Sequence, residues 1–293
     1  MVSLRQILLC MNKNFIRWKT SPRVYLLILI TVVFQYSGFE GYRTIAEYLD
    51  HPINMFLFPM FFVYPIMVYI FAAFPMLLYG EAPFTDRQSP FMVIRSGRLN
   101  WILGQICYIL LSSLIIAVFT AALSIVMLLP RVEFNTEWGP VMWTLAQDYS
   151  ILEEADVHVL APTLELMQQI GPIQAMILTT AIYWLAGAFL GTIILCFNIV
   201  IHRGFGLIVA GCIASLSYFS YVIINQDLLG FLNHISPLNW ICVFRISLTP
   251  GRLSPYPTVS YVFTFLLIGI LLTSVISVIA FCKKDLDFEK GEY

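Results

Sequence analysis

The chain has 293 residues, 59% of them apolar and only 11% charged, with a mean hydropathy of +0.83. Soluble domains carry about 45–50% apolar and about 25% charged residues, so this composition excludes a chain that faces water on all sides. A net charge of −1, from 16 basic and 17 acidic residues, shows no basic excess of the kind nucleic-acid binding needs. The six cysteines form no CxxC pair and mostly sit within apolar runs, so neither a zinc site nor a disulfide framework is indicated.

The first twenty or so residues hold a helical signal. Leu4, Ile7, Leu8, Met11, Phe15 and Trp18 fall on one face, and Arg5, Lys13, Arg17 and Lys19 lie outside it. The pattern predicts a basic amphipathic helix over 1–21, lying in the plane of the inner leaflet and turning into the first span at Ser21-Pro22. A generic interfacial anchor fits the same pattern. A cleaved signal peptide is not expected, because no small-residue cleavage site follows the first apolar segment.

A helix needs about 20 apolar residues to cross the ~30 Å hydrocarbon layer. Six stretches qualify: Val24–Phe39, Met55–Tyr79, Trp101–Leu129, Ile173–Ile201, Phe205–Ile224 and Thr258–Cys282. The first is short and is expected to borrow a turn at either end. The second carries Pro59, Pro65 and Pro75, which should kink it. The fourth and fifth are parted only by Ile201-His202-Arg203-Gly204, a tight turn at a membrane surface. Gly187 and Gly191 make a GxxxG pattern in the fourth, which indicates close packing either within the chain or between subunits.

Six spans put both termini on one side. The N-terminus, the loop 80–100, the turn at His202 and the tail hold twelve basic residues; Arg43, Arg131, Arg245 and Arg252 are the other four. The positive-inside rule then predicts cytoplasmic termini in a multi-pass protein of the cell membrane. The outer side would hold a long acidic loop, 130–172. There Trp138, Leu145, Tyr149 and Leu152 suggest a surface helix, acting either as a cap or as a solvated excursion.

The six apolar stretches contain no Asp, Glu, Lys or Arg, which argues against ion-coupled transport. The four histidines lie in loops without catalytic or metal-ligand spacing, so no active-site constellation, metal site or bound cofactor is expected.

The loop 80–100 is the most informative segment. It places Glu81 at the exit of the second span, then Phe84, Asp86 and Arg87. Phe91-Met92-Val93-Ile94 follow, and then Arg95 and Arg98 at the return to the bilayer. Apolar residues among charges on a water-facing loop suggest a surface that docks another protein. A loop helix folded back on the inner leaflet is the alternative.

Here the sequence resembles the permease subunits of type-two ATP-binding-cassette (ABC) exporters. In that family a Glu leaves the second span, a short coupling helix ends in Arg, and a Leu-Gly-Lys run opens the third span. This chain offers Glu81, then the segment from Phe91 to Arg98, then Ile102-Leu103-Gly104-Gln105. It departs in having Ala82-Pro83 after the Glu, where Gly-Thr is common, and Gln105 in place of Lys. A second similarity is Ile235-Ser236-Pro237-Leu238-Asn239-Trp240 running on to Arg245. It lies within 225–257, a segment too short and proline-broken to span, yet too apolar for a free loop.

The resemblance implies an all-α integral membrane fold: one permease domain over 1–293, with an amphipathic helix, six transmembrane helices and a re-entrant outer segment before the last. It implies a transporter subunit that is not itself an enzyme. ATP and Mg²⁺ would be held by a separate cassette ATPase, since the chain has no GxxxxGK[ST] phosphate loop. A second permease chain, the same or related, would complete the pathway, and membrane lipid would surround it. Glu81, Phe84, Asp86, Arg87, Phe91, Arg95 and Arg98 are then the expected ATPase-docking residues, and Pro237, Trp240 and Arg245 the outer gate. The charge-free spans favour an amphiphilic or hydrophobic cargo. A secondary carrier, a channel, or a non-transporting membrane partner of an ATPase are the alternatives.

Overall fold

A computed structural model describes residues 2–84, 89–160, 163–222, 226–249 and 254–284. The chain is mostly helical. In order it forms α1 (Leu4–Ile16), a 3₁₀ turn (Arg17–Thr20), α2 (Pro22–Tyr48), β1 (Ile53–Asn54), α3 (Phe58–Phe61), α4 (Pro65–Tyr79), α5 (Ser89–Ser96) and α6 (Arg98–Met127). There follow β2 (Val132–Glu133), α7 (Gly139–Gln147), α8 (Ser150–Glu154), α9 (Leu164–Gln169), α10 (Pro172–Val200), α11 (Phe205–Val222), α12 (Gln226–Ile235), 3₁₀ turns at Asn239–Ile241 and Val243–Arg245, and α13 (Val259–Lys283).

Among the described residues four helices are long and apolar enough to cross a membrane: α2, α6, α10 and α13, of 27, 30, 29 and 25 residues. At ~1.5 Å per residue each exceeds the ~30 Å hydrocarbon thickness. The chain is therefore a membrane-embedded helical protein. α4 and α11 are equally apolar but shorter, at 15 and 18 residues.

The second expected span is not one kinked helix. Pro59 and Pro65 each stand in the first turn of a helix, where a missing N–H costs nothing. The run therefore divides into α3 and α4, and only Pro75 lies inside a helix.

The first span runs further than its apolar core, to Tyr48. Arg43 sits in this extension. Its guanidinium donates to the carbonyls of Met127 (3.0 Å) and Tyr36 (3.3 Å) and lies 4.3 Å from the Tyr36 ring centroid. A cation on Met127 O also suits the negative C-terminal end of α6.

α10 is the central element, packed against α4, α6, α11 and α13. Its small residues allow this. A Cβ added at Gly191 would lie 2.6 Å from Ile109 of α6 and 2.7 Å from the ring of Tyr79 in α4. The GxxxG face is thus used within the chain. Tyr79 closes the contact by hydrogen bonding Ser112 (2.7 Å) and Ser113 (2.9 Å) of α6.

The segment 130–172 is folded onto the rest of the chain. β2 pairs in parallel with β1, and Asn54 donates to Asn135 O at 2.9 Å. Trp138, Val141, Met142 and Leu145 are buried, and the Trp138 indole donates to Ile170 O at 2.9 Å. Tyr42 of α2 ties the region down by donating to Leu160 O at 2.7 Å. The expected surface helix is broken at Asp148 into α7 and α8, which leaves Tyr149 exposed.

Candidate functional site

The basic end of the bundle brings together α1, the exit of α4, α5 and the ends of α6, α10 and α13. α1 lies against α6. A Cβ at Gly104 would come within 2.6 Å of Cys10 Cβ and 3.1 Å of Ile7 O, so glycine is what lets the two helices approach. Beside it Asn14 donates to Gln105 Oε1 at 2.8 Å, with both side chains buried. One turn on, the Trp18 indole donates to Tyr108 OH at 2.8 Å. At the other end of α1, Asn100 accepts from Ser3 N (3.0 Å) and donates to Gln6 (2.7 Å). Ile7, Cys10 and Asn14 thus face the protein, while Leu4, Leu8, Leu9 and Ile16 are exposed.

The exit of α4 is held from two sides. Glu81 forms an ion pair with Arg23 of α2, and Arg17 donates to Phe84 O at 3.0 Å. Asn198, buried near the end of α10, donates to Gly80 O (3.3 Å) and Ala82 O (2.6 Å). Its Oδ1 accepts from Gly204 N (3.1 Å) and Gly206 N (2.8 Å) in the turn to α11. Gly204 has φ +95°, a conformation that favours glycine. One amide therefore fastens the α10–α11 turn to the segment leading into α5.

The sequence-expected docking residues separate into three groups. Phe91 and Arg95 are exposed on α5, Phe91 with 74% of its surface, and Ile94, which was not among the expected residues, is exposed beside them at 75%. Val93, on the opposite face of α5, is buried. Arg95 and Arg5 border an open cleft of about 590 Å³ between α1 and α5, which is also lined by Gln6, Leu9, Met92 and Ser96.

Glu81, Phe84 and Arg98 instead make contacts inside the chain. Phe84 meets Tyr108 edge-on at 5.0 Å. Arg98 donates to Cys282 O (3.1 Å) and Lys284 O (2.9 Å) at the end of α13. Asp86 and Arg87 lie outside the described residues.

The expected outer-gate residues lie in the short helical pieces before α13. Pro237 and Trp240 are buried; the Trp240 indole donates to Asn233 O at 2.7 Å, and its ring meets Phe265 of α13 edge-on at 5.1 Å. Asn239 reaches α11 through Ser217 O at 3.2 Å and Ser220. Arg245 closes the second 3₁₀ turn and is half-buried.

Asn14, Tyr108 and Asn198 were not singled out by sequence reading. Their signal was present: Tyr108 and Asn198 are polar side chains near the basic ends of apolar helices, and Asn14 shares a helical face with Ile7 and Cys10, where an unpaired amide or hydroxyl is costly. Among the described residues no three His, Cys, Asp or Glu gather as a metal site would need. Comparison of the chain with protein families, curated proteins and solved structures finds no match.

Proposed function

We propose that this chain is the permease subunit of an ATP-binding-cassette exporter, driven by a separate ATPase that docks on α5. One observation carries the reading. Phe91 and Ile94 are exposed on a short helix that also bears Arg95, at the basic end of the long apolar helices. Two large apolar side chains side by side among charged residues suit a surface that docks a partner.

The support for mechanical coupling is how α5 is mounted. Its last turn leads through Gly97, at φ +83°, straight into α6. α6 in turn holds α1 through Gly104 and Gln105, and α13 through Arg98. A push on α5 is therefore delivered to three helices rather than dissipated in a loop. ATP and Mg²⁺ belong to the partner, whose closure would shift the permease between two packings.

In this reading α3 and α4 together make the second span and α11 the fifth, for six in all. Both termini and α5 are cytoplasmic, α12 and the two 3₁₀ turns dip back from the outer face, and Pro237, Trp240 and Arg245 line a gate. A second permease chain completes the pathway in the cell membrane. The cargo is an amphiphilic or hydrophobic compound, such as a peptide, lipid-like molecule or drug.

The test is the pair Phe91→Asp and Ile94→Asp. Wild-type protein purified from its native membrane should carry a P-loop ATPase and, in vesicles, export a hydrophobic dye with ATP. The double variant should fold normally and lose both. Retention of both by the double variant would place docking elsewhere. Uphill transport by the chain alone, on a proton or sodium gradient, would end the reading altogether.

A further inference from the structure

Between α2, α4 and α6, next to the corner where α1 turns into α2, runs a groove of about 150 Å³. Val24, Leu27, Phe74, Leu78, Ile116 and Phe119 line it, with Trp18 and Thr31 also on its wall. Its two polar side chains are both turned away from it chemically. The Thr31 hydroxyl donates to Leu27 O at 2.7 Å, and the Trp18 indole N–H is taken by Tyr108 at 2.8 Å. Nothing in the wall can bind a polar group, and an apolar cavity of this kind stays dry and takes apolar matter. Ile28, Ile115 and Phe119 on the wall are exposed, so the groove opens sideways, toward where lipid tails lie.

Chain direction gives the groove a polar end. From Val24 to Thr31 it runs roughly 10 Å along α2, about a third of the ~30 Å hydrocarbon layer. Tryptophan at a groove mouth fits the headgroup level, where indoles concentrate. At that same level stand Arg17, Lys19 and Arg23. Arg23 is paired with Glu81, and the Lys19 side chain is exposed and bonds no described group. Among the described residues the Arg23 charge is thus matched by Glu81, and the Lys19 ammonium adds a positive charge to the corner.

We infer that this groove holds one acyl tail of an anionic phospholipid, with the headgroup at the Lys19–Arg23 corner. The tail supplies the apolar contact that α2 lacks on this side, and the headgroup supplies charge to the corner. The lipid then wedges the α1–α2 turn against α4 and α6. This inference depends only on the chain being membrane-embedded and stands apart from the ATPase reading.

The test uses the full chain purified in mild detergent and native mass spectrometry, with phosphatidylglycerol or phosphatidylcholine supplied at equal concentration. Wild type should retain one phosphatidylglycerol and prefer it to phosphatidylcholine about fivefold, the effect of one basic side chain near an anionic headgroup. Lys19→Glu should abolish the preference. Ile116→Phe and Thr31→Leu, two independent ways of filling the groove, should each lose the lipid. Leu272→Phe, on the exposed face of α13, should keep it. Equal retention of the two lipids by wild type overturns the headgroup assignment, and retention by both filled variants overturns the site.

Discussion

Arg98 and Cys282 are 184 positions apart, and the guanidinium of the first donates to the backbone carbonyl of the second at 3.1 Å. A second bond, to Lys284 O at 2.9 Å, means that one side chain satisfies two of the carbonyls exposed at the end of α13. Trp101, one turn along α6, stacks on Phe281 with centroids 4.8 Å apart. Lys284 in turn reaches Ile199 O of α10 at 3.3 Å. The end of the last helix is thus held by an arginine that the sequence assigns to partner docking.

Arg98→Ala should therefore act on stability before it acts on any partner. Losing charge-assisted bonds of this kind costs about 1.5–3 kcal/mol when they are shielded and less here, where the side chain is half-exposed. The expected result is a lower Tm together with faster maleimide labelling of Cys282 as α13 frays. Arg98→Lys should restore part of both. If the alanine variant labels at the wild-type rate, the capping role is wrong.

Two phenylalanines of the same loop make a contrasting pair. Phe84 packs on Tyr108 and Tyr79, whereas Phe91 is exposed. Phe84→Ala should cost about 1–2 kcal/mol, below the ~3–5 kcal/mol of a fully buried ring. Phe91→Ala should stay within about 0.5 kcal/mol, as surface changes do. Thermal unfolding in detergent measures both. Equal losses would mean that α5 is buried in the isolated chain and not offered to a partner.

Much of this architecture was readable in the sequence because lipid-facing helices announce themselves by length and apolarity. The turn at His202–Gly204 and the ends of α6, α10 and α13 fall within a few residues of the expected positions. What escaped was set by partners distant in sequence. The GxxxG face could not be assigned until Tyr79 and Ile109 were seen against Gly191. The α1 stripe marked one side of an amphipathic helix but not which of its leucines would meet α6. Asn198 joins residues 118 and 116 positions away, beyond the reach of any local pattern. The α3–α4 break is the exception, since Pro59 and Pro65 were visible and their effect exceeded the kink assigned to them.

Asp148 gives the break between α7 and α8 a pH response. Its Oδ1 accepts from the Ser150 hydroxyl (2.7 Å) and the Ser150 N–H (2.9 Å), which starts α8. Both bonds favour the ionised form, the hydroxyl more, and hold the carboxyl below its ordinary value. A depressed acid stabilises the fold above its unfolded pKa and ceases to as pH falls through the folded one. Hydrogen exchange at the Ser150 amide should accordingly show protection, corrected for intrinsic rate, that is constant near neutrality and lost on strong acidification. Asp148→Ala should lack that protection at every pH. Protection that persists in the alanine variant would remove Asp148 from the account.

The buried pair of Asn14 and Gln105 allows the anchoring of α1 to be measured. Their 2.8 Å bond is worth about 1 kcal/mol net, but either side chain left alone strands a buried amide at about 1–3 kcal/mol. Asn14→Leu and Gln105→Leu should each destabilise by that larger amount. The double variant, with two apolar side chains meeting beside Gly104, should recover most of the loss and give a favourable coupling in the cycle. Trp18 is the local probe, because its indole bonds Tyr108 of α6 one turn further along. Release of α1 should red-shift the difference in emission between each protein and its Trp18→Phe counterpart. Single variants that shift this emission, with a double variant that does not, would show that the two side chains meet and that a stranded amide, rather than loss of the bond, releases α1 from α6. Strictly additive losses would show that Asn14 and Gln105 do not meet.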